Sequence, residues 1–134
     1  MCLFTREEKP LIADKDISCY KVLCYKNGEY YTPFRDYRVQ FEQKMIDDTE
    51  ETSPKAVFDF FEIDCGYYHT CGTLKSVRIV LLMLKTHSTR NKLPLPKLRI
   101  FKATIPKGSA YYDGLREDYC SKELIIHNEI VDKI

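Results

Sequence analysis

A short segment near the N-terminus predicts a β-hairpin. Residues 17–26 alternate branched, aromatic and polar side chains, and residues 29–32 resume the same character. Between them stands Asn27-Gly28, a pair that tolerates the positive φ angles of a two-residue hairpin turn. We therefore expect two antiparallel strands here and a protein built largely on a β-sheet.

A helix is predicted in the middle of the chain. Thr73 can cap it, and the pattern indicates a helix over about residues 74–85. Residues at helical spacing place one apolar face on it: Leu74, Val77, Leu81 and Leu84. Four further residues widen that face: Ile79, Val80, Leu82 and Met83. We therefore expect this helix to be mostly buried.

The other segments favour strands and loops. Strand-like character appears at residues 37–41, 97–105, 111–112 and 123–131. Residues 42–51 are polar and acidic and indicate a surface loop or a short exposed helix. Ser53-Pro54 is typical of a helix start, yet residues 57–63 suit a strand equally well, so residues 54–64 fit either. The pattern predicts an α+β fold with a mainly antiparallel sheet and one principal buried helix.

Length and composition indicate one domain spanning residues 1–134. The chain is 44% hydrophobic and 31% charged, which is typical of a globular protein with one core. Its longest apolar run, residues 79–84, is six residues, whereas a membrane span needs roughly 20, so no membrane contact is expected. Charges at residues 6–9 precede any signal-like apolar run. We expect a cytoplasmic protein of a bacterial cell with six free thiols.

Charge is distributed in two blocks. Residues 42–64 hold eight acidic and two basic residues, whereas residues 65–112 hold nine basic residues and no acidic one. The basic residues on the predicted helix and beyond it form a candidate binding surface: Lys75, Arg78, Lys85, Arg90, Lys92 and Lys97. Such a surface would attract nucleic-acid phosphates, nucleotides or an acidic protein. Alternatively, the acidic block neutralises the basic one, or both are solvated surfaces.

Cys65, His69 and Cys71 bring two thiols and an imidazole within seven residues. These are zinc-ligand types, but their spacing matches no common zinc pattern. In a strand the three would share one side, so core thiols beside a half-buried histidine is the plainer interpretation, and no metal is expected. A cysteine nucleophile would need a base such as His69, His87 or His127, and the sequence places none of them beside a given cysteine.

Several segments resemble a set of small uncharacterised proteins from gut Bacteroidota and their phages. They are residues 1–5, 10–23, 31–34, 66–70, 105–112 and 119–126. The resemblance covers most of the chain apart from the acidic middle and the proline-containing loop near residues 94–96. It implies a mobile-element origin.

A second resemblance is to ADP-ribosyltransferases, whose pattern has an Arg or His on a first strand, a Ser-Thr or Tyr strand and a late Glu. Lys21, His69-Thr70 and Glu123 stand in those places in that order. The resemblance implies that Glu123 would stabilise the oxocarbenium-like sugar, while Lys21 and Thr70 line an NAD pocket. Lys21 replaces the expected Arg or His, and Ser121 stands where many transferases have a second acid, so a degenerate, non-catalytic relative is implied.

These observations lead to one expected function and two alternatives. Glycine-rich phosphate loops, paired histidines on a helix and serine nucleophile elbows are missing from the sequence, which favours a binding protein over an enzyme. We expect a non-enzymatic inhibitor of phage or mobile-element origin, with no cofactor, that sequesters a host component through its basic surface. That component would be a defence complex of CRISPR type, a nucleic acid or a nucleotide signal. The alternatives are an ADP-ribosyltransferase-like NAD-binding enzyme and a small structural or regulatory protein-interaction domain.

Overall fold

The computed structural model describes residues 3–33, 37–47, 54–63, 67–90 and 97–130. These ranges contain twelve β-strands and one α-helix, which confirms the predicted α+β class. The elements in chain order are β1 (Leu3–Thr5), β2 (Leu11–Ile12), β3 (Ile17–Lys26), β4 (Glu29–Tyr31), β5 (Lys44–Ile46), β6 (Lys55–Val57), β7 (Phe60–Ile63), β8 (Tyr68–Cys71), α1 (Leu74–Arg90), β9 (Lys97–Ile105), β10 (Ala110–Asp113), β11 (Asp118–Ser121) and β12 (Glu123–Glu129). No helix in these ranges is long and apolar enough to cross a membrane.

The strands form two antiparallel sheets. The larger has the order β2-β10-β11-β8-β3-β9-β12-β5, with β4 added to β3, and the smaller has the order β1-β7-β6. β3 and β9 form the centre of the larger sheet, in unbroken register from Ile17 opposite Ile105 to Tyr25 opposite Lys97. The predicted hairpin is confirmed as β3 and β4, and the turn residues Asn27 and Gly28 have φ angles of 49° and 84°.

Apolar side chains cover both faces of the central strands. On one face, Val22, Leu98 and Ile100 pack against Val77 of α1. A neighbouring cluster on Leu3, Ile63, Tyr67, Tyr112 and Cys120 joins the small sheet to β10 and β11. On the opposite face, residues from four strands form the largest cluster, which includes Leu23, Tyr68, Phe101, Ile105, Leu124 and Ile126. The larger sheet therefore carries apolar clusters on both of its faces, and α1 packs on one of them.

α1 buries one side only. The Thr73 Oγ1 atom accepts a hydrogen bond from the Ser76 amide at 3.1 Å, which confirms the predicted N-cap. Val77 is fully buried, but Ile79, Leu82 and Met83 are 52%, 65% and 54% exposed. The helix is therefore less buried than its apolar residues predicted, because these three lie on the side that faces away from the sheet.

The acidic middle of the chain is more strand-like than predicted. Residues 55–57 and 60–63 form a hairpin of β6 and β7, so the described part of residues 54–64 follows the strand alternative. Residues 44–46, expected in a loop or helix, form the edge strand β5. Residues 37–41 form no strand, and only the bridge between Tyr31 and Arg38 represents the expected pairing there.

Candidate functional site

The side of α1 that faces away from the sheet carries apolar and basic side chains, and we call it the outer face of α1. Its apolar residues are Ile79, Leu82 and Met83, and its exposed basic residues are Lys75, Arg78, Lys85 and Arg90. At 3.6 residues per turn these positions fall within about half of the helix circumference, so they share one side. The helix sequence contains no acidic residue between Leu74 and Arg90. This face is therefore both positively charged and partly apolar.

The basic residues at the start of α1 are not explained by helix stability. Acidic side chains are favoured in the first turn, where the helix dipole is positive, yet this turn has none and contains Lys75. Lys75 and Arg78 are also three residues apart, a spacing at which like charges repel. Of the four cations on the outer face of α1, Arg90 alone lies in the last turn, where the dipole favours a positive charge. The cations near the N-terminus of α1 thus weaken the helix slightly.

The six predicted binding residues do not all lie on this face. Lys75, Arg78, Lys85 and Arg90 do, whereas Lys92 lies outside the described residues. Lys97 alternates with the buried Leu98 and therefore points to the opposite side of the sheet, where its Nζ atom lies 5.7 Å from the centre of the Tyr25 ring. Among the described residues, four of the six predicted cations thus share the outer face of α1, and Lys97 lies on a different side of the sheet.

Among the described residues, one Arg and one Lys of the charge blocks form ion pairs with the C-terminal strand. The Arg99 Nε atom lies 3.2 Å from a carboxylate oxygen of Glu129, and the Lys44 Nζ atom lies 3.4 Å from one of Glu123. Both carboxylates belong to β12. For Arg99 and Lys44, β12 rather than the opposite charge block supplies the counter-charge.

A narrow cleft lies between α1 and the sheet. β3 and β8 pair at Tyr20 and Cys71 and then separate. The cleft lies next to this pair, and its lining includes Lys21, His69, Thr70, Asp118 and Leu84. About 40 Å³ of it is open to water, which is room for roughly three water molecules. The open volume of this cleft matches the end of a side chain or a few waters.

Burial controls the chemistry of this cleft. The Lys21 Nζ atom donates a hydrogen bond to the His69 carbonyl oxygen at 2.6 Å. Desolvation raises the pKa of the Cys71 thiol to about 11, and it also raises the pKa of Asp118. Because a thiol with so high a pKa is protonated at neutral pH, Cys71 is not a ready nucleophile.

A second buried thiol lies behind the cleft. Desolvation raises the pKa of Cys19 to about 11, and the neighbouring Thr70 hydroxyl lowers it only in part. Among the described residues, the Thr70 Oγ1 atom is buried without a hydrogen bond of ordinary geometry, so its contact with the thiol is weak. Cys19 is therefore also a protonated core thiol at neutral pH.

The transferase-type residues are only partly brought together. Lys21 and Thr70 both line the cleft. Glu123 is not among the lining residues; it starts β12, pairs with Lys44 of β5, and its carbonyl accepts a hydrogen bond from Ser121 at 2.9 Å. The structure thus joins two of the three residues that the resemblance singled out.

The Cys65, His69 and Cys71 segment is described only in part, since Cys65 lies outside the described residues. His69 and Cys71 share one side of β8, and the His69 Nε2 atom lies 3.7 Å from the Sγ atom of Cys120, which is fully buried. Among the described residues, no group of three or more His, Cys, Asp or Glu side chains could hold a metal ion.

A hydrogen-bonded chain of three side chains lies on β9, β12 and the segment before β5. The Thr104 Oγ1 atom is 2.8 Å from the His127 Nε2 atom, and the His127 Nδ1 atom is 2.9 Å from a carboxylate oxygen of Glu42. Sequence reasoning named His127 as a possible base but missed both partners, which lie 23 and 85 residues away along the chain. The only sequence signal for this site was the strand-like alternation of side chains around residue 127.

No protein-family model, no curated protein and no solved structure matches the chain significantly.

Proposed function

We propose that this chain is a binding protein that docks an acidic protein partner on the outer face of α1. The observation that carries the proposal is the exposure of Ile79, Leu82 and Met83 among the four cations of one helix. Apolar groups exposed together and surrounded by charge are typical of protein interfaces, where an apolar centre is enclosed by a polar rim.

The apolar centre favours a protein over a nucleic acid as the partner. Cations alone suffice to bind phosphates, and that binding gains little from exposed Leu or Met side chains. Burying Leu82 and Met83 requires an apolar surface on the partner, whereas the cations require carboxylates around it. The complementary partner is therefore a protein surface with an apolar patch enclosed by Asp and Glu residues.

We also propose a biological role for this docking. The resemblance to proteins of gut Bacteroidota and their phages suggests that the partner is a bacterial host protein, such as a subunit of a defence complex. Docking would then sequester or inhibit it without any chemical step. In this view the charge of the outer face of α1 speeds association, and its apolar residues slow dissociation.

The proposal is tested by crosslinking from the face itself. A photo-reactive amino acid replaces Thr86, which is exposed on the outer face of α1, and in a control chain it replaces Lys107, which is exposed on a distant turn. Both chains are irradiated in bacterial lysate, and crosslinked proteins are identified by mass spectrometry. We expect an acidic protein to be captured from position 86 and not from position 107.

The captured protein is then purified and its affinity measured by calorimetry at low and high salt. We expect Leu82→Ser and Lys75→Glu each to weaken binding at least tenfold, with the salt dependence reduced only in Lys75→Glu. The Lys75→Glu change adds an acid where the helix dipole favours one, so lost binding is not due to a weakened helix.

Three results would contradict the proposal. Equal binding by wild type and both variants would place the interface elsewhere. Bound nucleic acid or anionic vesicles that are lost in Lys75→Glu but retained in Leu82→Ser would show a purely electrostatic partner. Capture of the same proteins from positions 86 and 107 would show non-specific contact.

A further inference from the structure

Thr104, His127 and Glu42 have the arrangement of a nucleophile, a general base and a positioning group. A neutral imidazole has one N–H donor and one acceptor nitrogen. With the Nδ1 proton donated to the Glu42 carboxylate at 2.9 Å, the Nε2 atom is left to accept the Thr104 hydroxyl proton at 2.8 Å. This order of contacts is the one that activates a hydroxyl in acyl-transfer sites on unrelated folds.

We propose that Thr104 is a nucleophile toward carboxylic esters with good leaving groups, with His127 as its general base and Glu42 as the positioning residue. This chemistry is separate from docking on α1 and does not depend on it. The three residues share no member with the outer face of α1.

The backbone at Glu42 supports the assignment. Glu42 has a φ angle of 60°, in the left-handed region that residues other than Gly, Asn and Asp seldom adopt. Its amide donates a hydrogen bond to the Ile126 carbonyl at 2.9 Å, which holds the residue against the strand that carries His127. Backbone strain maintained by surrounding contacts is concentrated at functional positions, and here it aims a carboxylate at an imidazole.

The site is open to a substrate. The His127 side chain is 30% exposed, and Thr104 is half-buried. Ser18 stands directly opposite Thr104 on β3 and is exposed, and Lys102 is exposed two residues before Thr104 on the same side of β9. A hydroxyl and an ammonium on this side of the sheet provide donors for the oxygen of an attacked carbonyl group.

The reaction balances with water as the second reactant. The Thr104 Oγ1 atom bonds to the acyl carbon while its proton moves to the His127 Nε2 atom, and Glu42 faces the resulting imidazolium. The bond from the acyl carbon to the leaving oxygen then breaks, and that oxygen takes the proton from Nε2. Water next attacks the acyl-threonine ester, giving a proton to Nε2 that returns to Thr104. The products are one carboxylic acid and one alcohol.

The test uses the full chain and 4-nitrophenyl acetate. Release of 4-nitrophenol is followed by absorbance, and the acetylated residue is located by peptide mass spectrometry after rapid acid quenching. We expect the acetyl group on Thr104, and at least a tenfold slower release in Thr104→Val and in His127→Ala. Exposed imidazoles can also attack this ester directly, so His87→Ala is the matched control: we expect an unchanged rate, which would show that such direct attack does not account for the release.

Glu42→Gln separates positioning from a structural role. The amide oxygen of Gln can still accept the hydrogen bond from His127 Nδ1, but it carries no negative charge to stabilise the imidazolium. We therefore expect kcat to fall and KM to stay constant. Glu42→Asp should recover part of the loss. A change confined to stability or to KM would remove Glu42 from the proposal.

The proposal is overturned if Thr104→Val releases 4-nitrophenol as fast as wild type, or if the acetyl group is found on lysine or His87 and not on Thr104. Thr104→Ser keeps the hydroxyl and should keep the activity. The position of the adduct on the wild-type chain decides the matter even if Thr104→Val fails to fold.

Discussion

The Lys21 Nζ atom lies 2.6 Å from the main-chain carbonyl oxygen of His69, at the point where β3 and β8 separate. The lysine is 8% exposed and stands opposite Phe101 on β9. Its amine therefore donates to a carbonyl of β8 that would otherwise accept a main-chain hydrogen bond from a paired strand. Lys21 holds the two strands together beside the cleft.

Replacing Lys21 by Met should destabilise the protein. The change removes the donor to the His69 carbonyl while keeping most of the side-chain volume, and a buried acceptor left unpaired costs about 1–3 kcal/mol. The free energy of unfolding is measured by urea titration. Lys102→Met, at an exposed position on the neighbouring strand, is the control and should change it by no more than about 0.5 kcal/mol. Equal urea midpoints for the two variants would show that the Lys21 bond is unimportant.

The two sides of α1 should respond differently to truncation. Val77→Ala removes fully buried methyl groups from the cluster on Leu98 and Ile100, and we expect a loss of about 1–3 kcal/mol in the free energy of unfolding. Leu82→Ala acts on a 65% exposed side chain and introduces the best helix former, so stability should be retained within about 0.5 kcal/mol. A large loss in Leu82→Ala would mean that the outer face of α1 is covered.

Stability should fall in alkali because of the buried thiols. Cys19 and Cys71 have folded-state pKa values of about 11, above the ordinary value of 9.0, because burial disfavours the thiolate. Between these values the unfolded chain releases protons that the folded chain keeps, so the stabilisation is complete below pH 9 and declines as the pH rises toward 11. Urea titrations in reducing buffer at pH 8, 9, 10 and 11 measure the decline. It should be shallower in the Cys19→Ala, Cys71→Ala double variant.

Gly114 should not tolerate a side chain. Its amide donates to the Asp118 carbonyl at 2.7 Å, and a Cβ atom at this position would lie 2.9 Å from that same oxygen. Because backbone must move to relieve this contact, Gly114→Ala should cost about 1–3 kcal/mol of stability. Leu115→Ala, at the exposed neighbouring residue, should be nearly neutral. Thermal unfolding followed by circular dichroism compares the two, and an unchanged melting temperature in Gly114→Ala would contradict the described turn.

Phe58 should be replaceable with a gain in stability. It lies between β6 and β7 with a φ angle of 55° and is 98% exposed, so a bulky residue is held in the left-handed region without burial to offset it. Asn adopts this conformation more readily, and Phe58→Asn should raise the free energy of unfolding by up to about 1 kcal/mol. Asp59→Asn is the matched control. A loss of stability in Phe58→Asn would reveal a contact made by the ring.

Local signals predicted the elements that have local causes. Asn27-Gly28 fixed the first hairpin because both residues accept positive φ, and Thr73 marked the start of α1 because its hydroxyl caps the first turn. The described helix runs to Arg90, five residues beyond the predicted end at Lys85, because residues 86–90 contain neither Gly nor Pro to stop it. Its exposure was missed because apolar residues occupy both sides of the helix, and periodicity cannot say which side meets the sheet.

Features that depend on distant pairing were not predicted. β5 is three residues long, too short to show alternation, and exists because Met45 pairs with Leu124 of β12. The contacts of His127 with Thr104 and Glu42 depend on the same assembly of strands. The interpretation of Lys21 and Thr70 as neighbours came from a resemblance, and their shared cleft arises from the separation of β3 and β8.

The pairing of β3 with β9 has a consequence for the order in which the protein can form. Residues 17–25 reach their partners only when residues 97–105 are available, so the central ladder closes a loop of about eighty residues. Closing such a loop is entropically costly, and sheets dominated by distant contacts fold slowly. During synthesis the first hairpin emerges long before β9. The apolar side chains of the hairpin stay partly exposed to solvent until most of the chain has left the ribosome. Aggregation is therefore most favoured during this interval.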